Sequence, residues 1–185
     1  MIYPIVAYGD PVLKKETRDV EEGEMDIKQL VADMYETMYE ANGVGLAAPQ
    51  IGKNIRVFVM DSTPLEDDGE EHLGVKKAFI NATIVEESGN KWVFEEGCLS
   101  IPGVREDVYR RENLIIHYFD ENWEEHEESY SGIQARIIQH EYDHVEGVLF
   151  TDHLSGIKKR LLKKRLTHIS KGIVDVDYRM KFPNR

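Results

Sequence analysis

Apolar and polar positions along the chain change period several times, and each change marks an element. Ile27, Leu30, Val31, Met34 and Met38 recur at helical spacing, which predicts an amphipathic helix with its inner face in the core. Asp26 stands at its cap position, and Asn42-Gly43 marks its end. Gly9-Asp10-Pro11 reads as another helix start, with Asp10 as N-cap and Pro11 where a missing N–H costs nothing. The run Ile55 to Met60 predicts a strand. Further strands are predicted at Ala78 to Val85, Lys91 to Phe94 and Asn113 to Phe119, separated by turn signals such as Ser88-Gly89-Asn90. Pro64 to Glu71 reads as an acidic surface loop, and Glu121 to Glu128, acidic around Trp123, as a solvated hairpin. Ile133, Ile137, His140 and His144 share one face of a helix from about Ile133 to Glu146. Ser155 caps a last, basic helix that packs through Ile157, Leu161, Leu162 and Ile169. After Gly172, Val174, Val176, Tyr178 and Met180 alternate with Asp175, Asp177 and Arg179, which predicts a terminal strand.

Length and composition narrow this picture. With 185 residues, 41% of them hydrophobic, residues 1–185 are expected to bury one core as a single domain. No run is long and apolar enough to span a membrane, and the start MIYPIVAYGD lacks the pattern of a signal peptide, so a cytoplasmic location is expected. One cysteine, Cys98, excludes an internal disulfide. The net charge of −12 argues against a general nucleic-acid binder, yet it is uneven. Residues 156–185 hold 10 basic against 2 acidic side chains, a surplus of eight, so the first 155 residues hold 13 against 33, or −20. An acidic body carries a basic tail.

The chemistry centres on Gln139 to Gly147, QHEYDHVEG. His140 and His144, four apart on a helix, can present two imidazoles to one metal ion, and Glu141 beside the first is placed to accept a proton from an activated water. An amphipathic helix with two ordinary histidines reads the same five residues equally well. A third ligand decides between them. The extended zinc-protease pattern needs a histidine where Phe150 stands, and no glutamate follows Glu146, so the usual suppliers are missing. His153 and His168 remain as formal candidates, with Cys98 in EEGCLSIPG favoured over both. A lone cysteine also reads as a small buried hydrophobe. Gly97 frees the backbone before Cys98, Pro102-Gly103 is expected to turn the chain soon after, and the Leu99 N–H can point into the same site.

A second unusual stretch, GVGLAAPQIG from Gly43 to Gly52, is either a tight turn or a backbone edge that passes close to a substrate. In it the Gln50 side-chain amide can donate to a developing oxyanion without adding charge. Ile133 and Ile137, on the face that leads to the histidines, suit an unbranched aliphatic side chain, although a plain core stripe is the default.

GVGLAAPQ, EGCLS and HEYDH, in this order, resemble the three signature motifs of the peptide deformylases, metal hydrolases that remove the formyl group from the N-terminal methionine of new bacterial polypeptides. The likeness includes GDPVL and extends to about residue 155. It implies an α+β fold, with antiparallel β-sheets packed around a central helix that carries the HExxH motif, followed here by the basic C-terminal helix and a possible terminal strand. It implies Cys98, His140 and His144 as metal ligands, Glu141 as catalytic acid and base, and Gln50 with the Leu99 amide as oxyanion hole. Ferrous iron is the expected ion, with Zn(2+), Ni(2+) or Co(2+) as substitutes. N-formylmethionyl nascent peptides are the expected partners, with the methionine against Val44, Ile133 and Ile137 and the peptide passing Gly45 and Gly97. An endopeptidase and a non-catalytic metal- or ribosome-binding module are the rival classes. For the latter, the basic helix from Lys158 to Lys171 either docks on ribosomal RNA or is a solvated face that balances the acidic body.

Overall fold

The computed structural model describes residues 1–65 and 74–183. The expected acidic loop therefore lies outside the described residues from position 66 to 71, while Thr63–Leu65 forms one 3-10 turn. The fold is α+β, with three α-helices among the described residues and a five-stranded sheet whose neighbours all pair antiparallel. The strands are β2 (Gly45–Ala47), β3 (Val57–Asp61), β4 (Lys76–Cys98), β5 (Ile101–Phe119) and β6 (Glu125–Ser131), in that spatial order. A separate two-stranded pair joins β1 (Ile5–Val6) to β7 (Met180–Lys181) in parallel. The plural antiparallel sheets of the expectation are thus one large sheet and one small parallel pair.

β3 explains how the sheet is covered. Its side chains alternate faces, and every one is buried. Val57 and Val59 join a core cluster with Leu30, Val31, Met34 and Met38 of α1 (Ile27–Glu40), whereas Phe58 and Met60 join another with Ala135, Ile137 and Ile138 of α2 (Gly132–Val145). The two helices cover opposite faces, which is why IRVFVM reads as a continuous apolar run. On the α2 side Phe58 stacks on Phe79 at 4.7 Å between ring centres, and Phe79 packs on Tyr118 at 4.4 Å. Buried rings of this kind are worth about 3–5 kcal/mol each against alanine.

The helix ends follow their local chemistry. Asp26 accepts the Gln29 N–H at 3.0 Å, and α1 closes where Asn42 takes the left-handed conformation and the Gly43 N–H reaches the Met38 carbonyl at 2.9 Å. Asp10 accepts the Val12 N–H at 3.0 Å, but Pro11–Lys14 is only one 3-10 turn. In α3 (Gly156–Ser170), capped by Ser155, Leu166 and Ile169 are the buried apolar residues. Ile157 and Leu161, expected to pack, are 65% and 77% exposed, so the helix is anchored by its C-terminal half.

Three local signals act differently from expectation. Ser88-Gly89-Asn90 does not turn the chain: β4 runs through it, and the register against β5 shifts between Ser88 and Lys91. Gly89 takes φ +80 and the Asn90 N–H bonds Glu112, so the signal is a bulge. Pro102-Gly103 likewise falls inside β5, in an irregularity where Gly97 pairs with Arg105 but Cys98 with Ile101. The true turn is Leu99-Ser100, three residues earlier. The predicted terminal strand shrinks to Met180–Lys181. Its in–out alternation persists through Val174 to Tyr178, imposed by packing against the core instead of a strand neighbour. The acidic stretch around Trp123 does form the connection into β6, as a hairpin.

Candidate metal centre

Strand and helix periodicity bring the candidate residues together. β4 delivers Cys98 at its last position, and α2 presents His140 and His144 one turn apart, with ring centres 5.2 Å from each other. One ligand atom from each of Cys98, His140 and His144 lies within 4.8 Å of the others, and the Cys98 Sγ is 3.3 Å from His144 Nε2. One sulfur and two imidazole nitrogens converging on a common point are a donor set that fits a transition metal. His153 is not among them, since its Nε2 pairs with Asp143 at 2.7 Å, and His168 sits in α3 away from the cluster.

A carboxylate that the sequence reading missed holds one of these imidazoles. Glu96 precedes Cys98 by two residues in β4, is 4% exposed, and accepts His140 Nδ1 at 2.8 Å, leaving Nε2 for the cluster. It also accepts Arg110 Nε at 2.9 Å and Arg136 Nη1 at 3.1 Å. Burial acts to raise the Glu96 carboxyl, but hydrogen bonds from His140 and Arg110 hold it at about 2. Arg110 reaches on to Asp143 at 2.8 Å, so a buried network of alternating charge lies behind the histidines. Arg136 stands one turn before His140 on α2 and covers the Trp92 ring at 4.5 Å. Burial would lower the His140 ring, yet its bonds to Cys98 and Glu96 carry it well above the ordinary histidine range. His144, buried with its Nδ1 lacking a partner among the described residues, is driven down to about 3, first by that burial and then by His140. A neutral imidazole is the form that binds metal.

Glu141 is 5% exposed, and its Oε2 is buried with no hydrogen-bond partner among the described residues. Burial is the main cause that pushes its carboxyl up to about 7. The β2 backbone runs directly beside it: a Cβ on Gly45 would sit 2.4 Å from Glu141 Oε1. Gln50, 1% exposed, lies in the 3-10 turn Ala48–Ile51 that follows β2. Its Oε1 accepts the Ala47 N–H at 2.9 Å, which turns Nε2 toward Cys98 Sγ at 3.5 Å and Ser100 Oγ at 3.3 Å. GVGLAAPQIG therefore holds a 3-10 turn, at Ala48–Ile51, and a backbone edge that passes close to Glu141.

A cavity of about 570 Å³ opens over these groups. Val44, Gly45, Gln50, Gly97, Cys98, Leu99, Ile133, Ile137, His140 and Glu141 all line it, whereas His144 lies deeper, beneath the floor. Asp175 to Tyr178, from the segment after α3 where the alternation predicts a strand, form a further wall.

The sequence and the fold are both similar to those of known proteins. Residues 2–160 match the family model described as polypeptide deformylase. The chain is 63% identical to a peptide deformylase of Cytophaga hutchinsonii, over 99% of this chain and 98% of that one, and 54% identical to one of Christiangramia forsetii, over 100% and 97%. Among solved structures, a peptide deformylase from Legionella pneumophila superposes with a TM-score of 0.80 at 36% identity, covering 94% of this chain and 98% of that one. A plant peptide deformylase superposes with a TM-score of 0.82 at 35% identity, covering 92% and 90%.

Proposed function

Since the chain belongs to the polypeptide deformylase family, enzymes that remove the N-terminal formyl group from nascent peptides, we propose that residues 1–185 form one catalytic domain in which Cys98, His140 and His144 hold a single divalent ion. The observation that carries this reading is the convergence of one sulfur and two imidazoles beside a buried carboxylate, one oxygen of which has no hydrogen-bond partner among the described residues. The ion is taken as ferrous iron, with zinc, nickel or cobalt able to replace it; a mixed sulfur and imidazole set accepts each of them. When bound, it supplies the Lewis acidity that activates a water at neutral pH.

The chain's own groups do the rest. Glu141 takes the proton of the attacking water and then gives it to the leaving amine, so formate and a free N-terminus result. Burial favours the protonated form of that carboxyl, the form that the second half of the exchange requires. Gln50 Nε2 and the Leu99 N–H donate to the formyl oxygen as it gains charge, each worth about 3–4 kcal/mol of barrier. Fixing the Gln50 amide by the Ala47 N–H supports this role, because the donor is oriented before substrate arrives. The methionine side chain lies against Val44, Ile133 and Ile137, and the peptide passes Gly45 and Gly97. The site works on peptides as they are made, which is the ground for a cytoplasmic location. No helix among the described residues is long and apolar enough to cross a membrane.

Formate release from formyl-Met-Ala, measured beside cleavage of an N-acetylated internal peptide, separates this reading from an endopeptidase. Formate release without internal cleavage is expected. Internal cleavage at a comparable rate would make the protein a protease instead.

We also propose that α3 docks the enzyme on ribosomal RNA, supported by the exposed side chains of Lys159, Arg160, Lys163 and Lys164. Co-sedimentation with ribosomes should weaken as salt rises and disappear when Lys159, Arg160 and Lys163 are changed to Glu. Retention by that variant would leave the helix a solvated face.

A further inference from the structure

The two-residue turn Leu99-Ser100, which carries the Leu99 N–H, is fastened by several distant parts of the chain. The Ser100 carbonyl accepts the Tyr8 N–H at 2.8 Å, and Ser100 Oγ accepts Gln50 Nε2 at 3.3 Å. The Leu99 side chain rests where Gly43 has no Cβ, since one built there would lie 2.8 Å from Leu99 Cδ1. The last fastening comes from the C-terminal segment: the Tyr178 hydroxyl donates to the Leu99 carbonyl at 2.7 Å. Tyr178 is half-buried, packs against the same core cluster as Leu99 and lines the cavity. It lies beyond residue 160, where the family match ends.

In a two-residue turn, the peptide between the two central residues is the unit that can rotate while the flanking strands stay paired; the two commonest turn types differ by that rotation. Here it is the Leu99–Ser100 peptide, and its carbonyl is the atom that Tyr178 holds. Rotation of that peptide alone leaves the Leu99 N–H, which belongs to the Cys98–Leu99 peptide, in place. What a bond to the carbonyl on the same residue opposes is displacement of the whole turn, which would carry that N–H with it. We propose that Tyr178 is a positioning residue for deformylation, its hydroxyl clamping the Leu99 carbonyl so that the Leu99 N–H stays aimed at the formyl oxygen. The C-terminal segment thus becomes part of the active site. This rests on the reading of Leu99 and Gln50 as the oxyanion donors.

The test is steady-state kinetics on formyl-Met-Ala for wild type, Tyr178→Phe and Gln50→Leu, with metal content and melting temperature measured on each. Phenylalanine keeps the ring in the core and removes only the clamp. For Tyr178→Phe, kcat falls about three- to tenfold, the worth of one hydrogen bond, with KM and metal content unchanged and the melting temperature lowered by no more than about 2–4 °C. Wild-type kcat in Tyr178→Phe overturns the proposal, and so does a decrease that tracks lost metal or a larger fall in melting temperature, since either means a merely structural role. Gln50→Leu shows how far such a failure reaches. If it lowers kcat by about 10²-fold while Tyr178→Phe is normal, only the clamp is wrong. If both variants turn over like wild type, the oxyanion-hole reading falls with it.

Discussion

Replacing Glu141 by alanine is expected to lower kcat for formate release by about 10²- to 10⁴-fold while the protein keeps its metal and its fold. The carboxylate has no ligand role in the proposed site, and its Oε2 makes no hydrogen bond among the described residues. Among the described residues, removing it breaks no hydrogen bond to Cys98 or the histidines. Because a buried polar group without a partner costs about 1–3 kcal/mol, the melting temperature should stay level or rise. That combination, lost turnover with intact stability, separates a group kept for chemistry from one kept for structure. Kinetics, metal analysis and thermal denaturation of the one variant check all three parts. Loss of metal together with activity would show that Glu141 supports the site instead of acting in it.

Gly45→Ala should reproduce much of that loss from a different strand. A methyl at this position would meet Glu141 at 2.4 Å from Oε1 and 2.8 Å from both Cδ and Cγ, so the conflict involves the stem of the side chain and not its tip alone. Glu141 is buried on a helix whose neighbours Ile137, Ile138 and Val145 are packed in the core, which leaves it little room to retreat. Displacing a catalytic group by about 1 Å costs roughly 10²-fold in rate, and overpacking adds about 1–3 kcal/mol of destabilisation. If the effect acts through Glu141, adding Gly45→Ala to Glu141→Ala should lower kcat no further. Additive losses in that double-mutant cycle, or a wild-type kcat in Gly45→Ala, would detach the glycine from the carboxylate.

Much of the architecture was legible because it is local. The caps of α1 and α3 and the repeats of α1 and α2 are written in adjacent residues, and IRVFVM announces a strand covered on both faces. The turn signals were read less well for a physical reason. Gly89 and Pro102-Gly103 say that the backbone leaves ideal strand geometry, but only the partner strand decides between a bulge and a reversal. The tail shows the same ambiguity, because alternation from Val174 to Tyr178 records which side chains face the core and not whether a strand lies alongside.

The site divides along similar lines. Two of its supporting residues stood within reach of the periodicity already in use: Glu96 shares the face of Cys98 at strand spacing, and Arg136 precedes His140 by one helical turn. Arg110 and Tyr178 carry no such signal. One arrives through cross-strand pairing of β4 with β5, the other from 79 residues beyond the carbonyl it holds.

The central claim is that a thiolate and two imidazoles grip the same ion. X-ray absorption at the metal edge of the loaded protein tests this directly. The expected first shell contains one sulfur scatterer and two imidazole nitrogens, with the sulfur lost in Cys98→Ala. A shell of nitrogen and oxygen alone in the wild-type protein would contradict the assignment of Cys98 and with it the site proposed here.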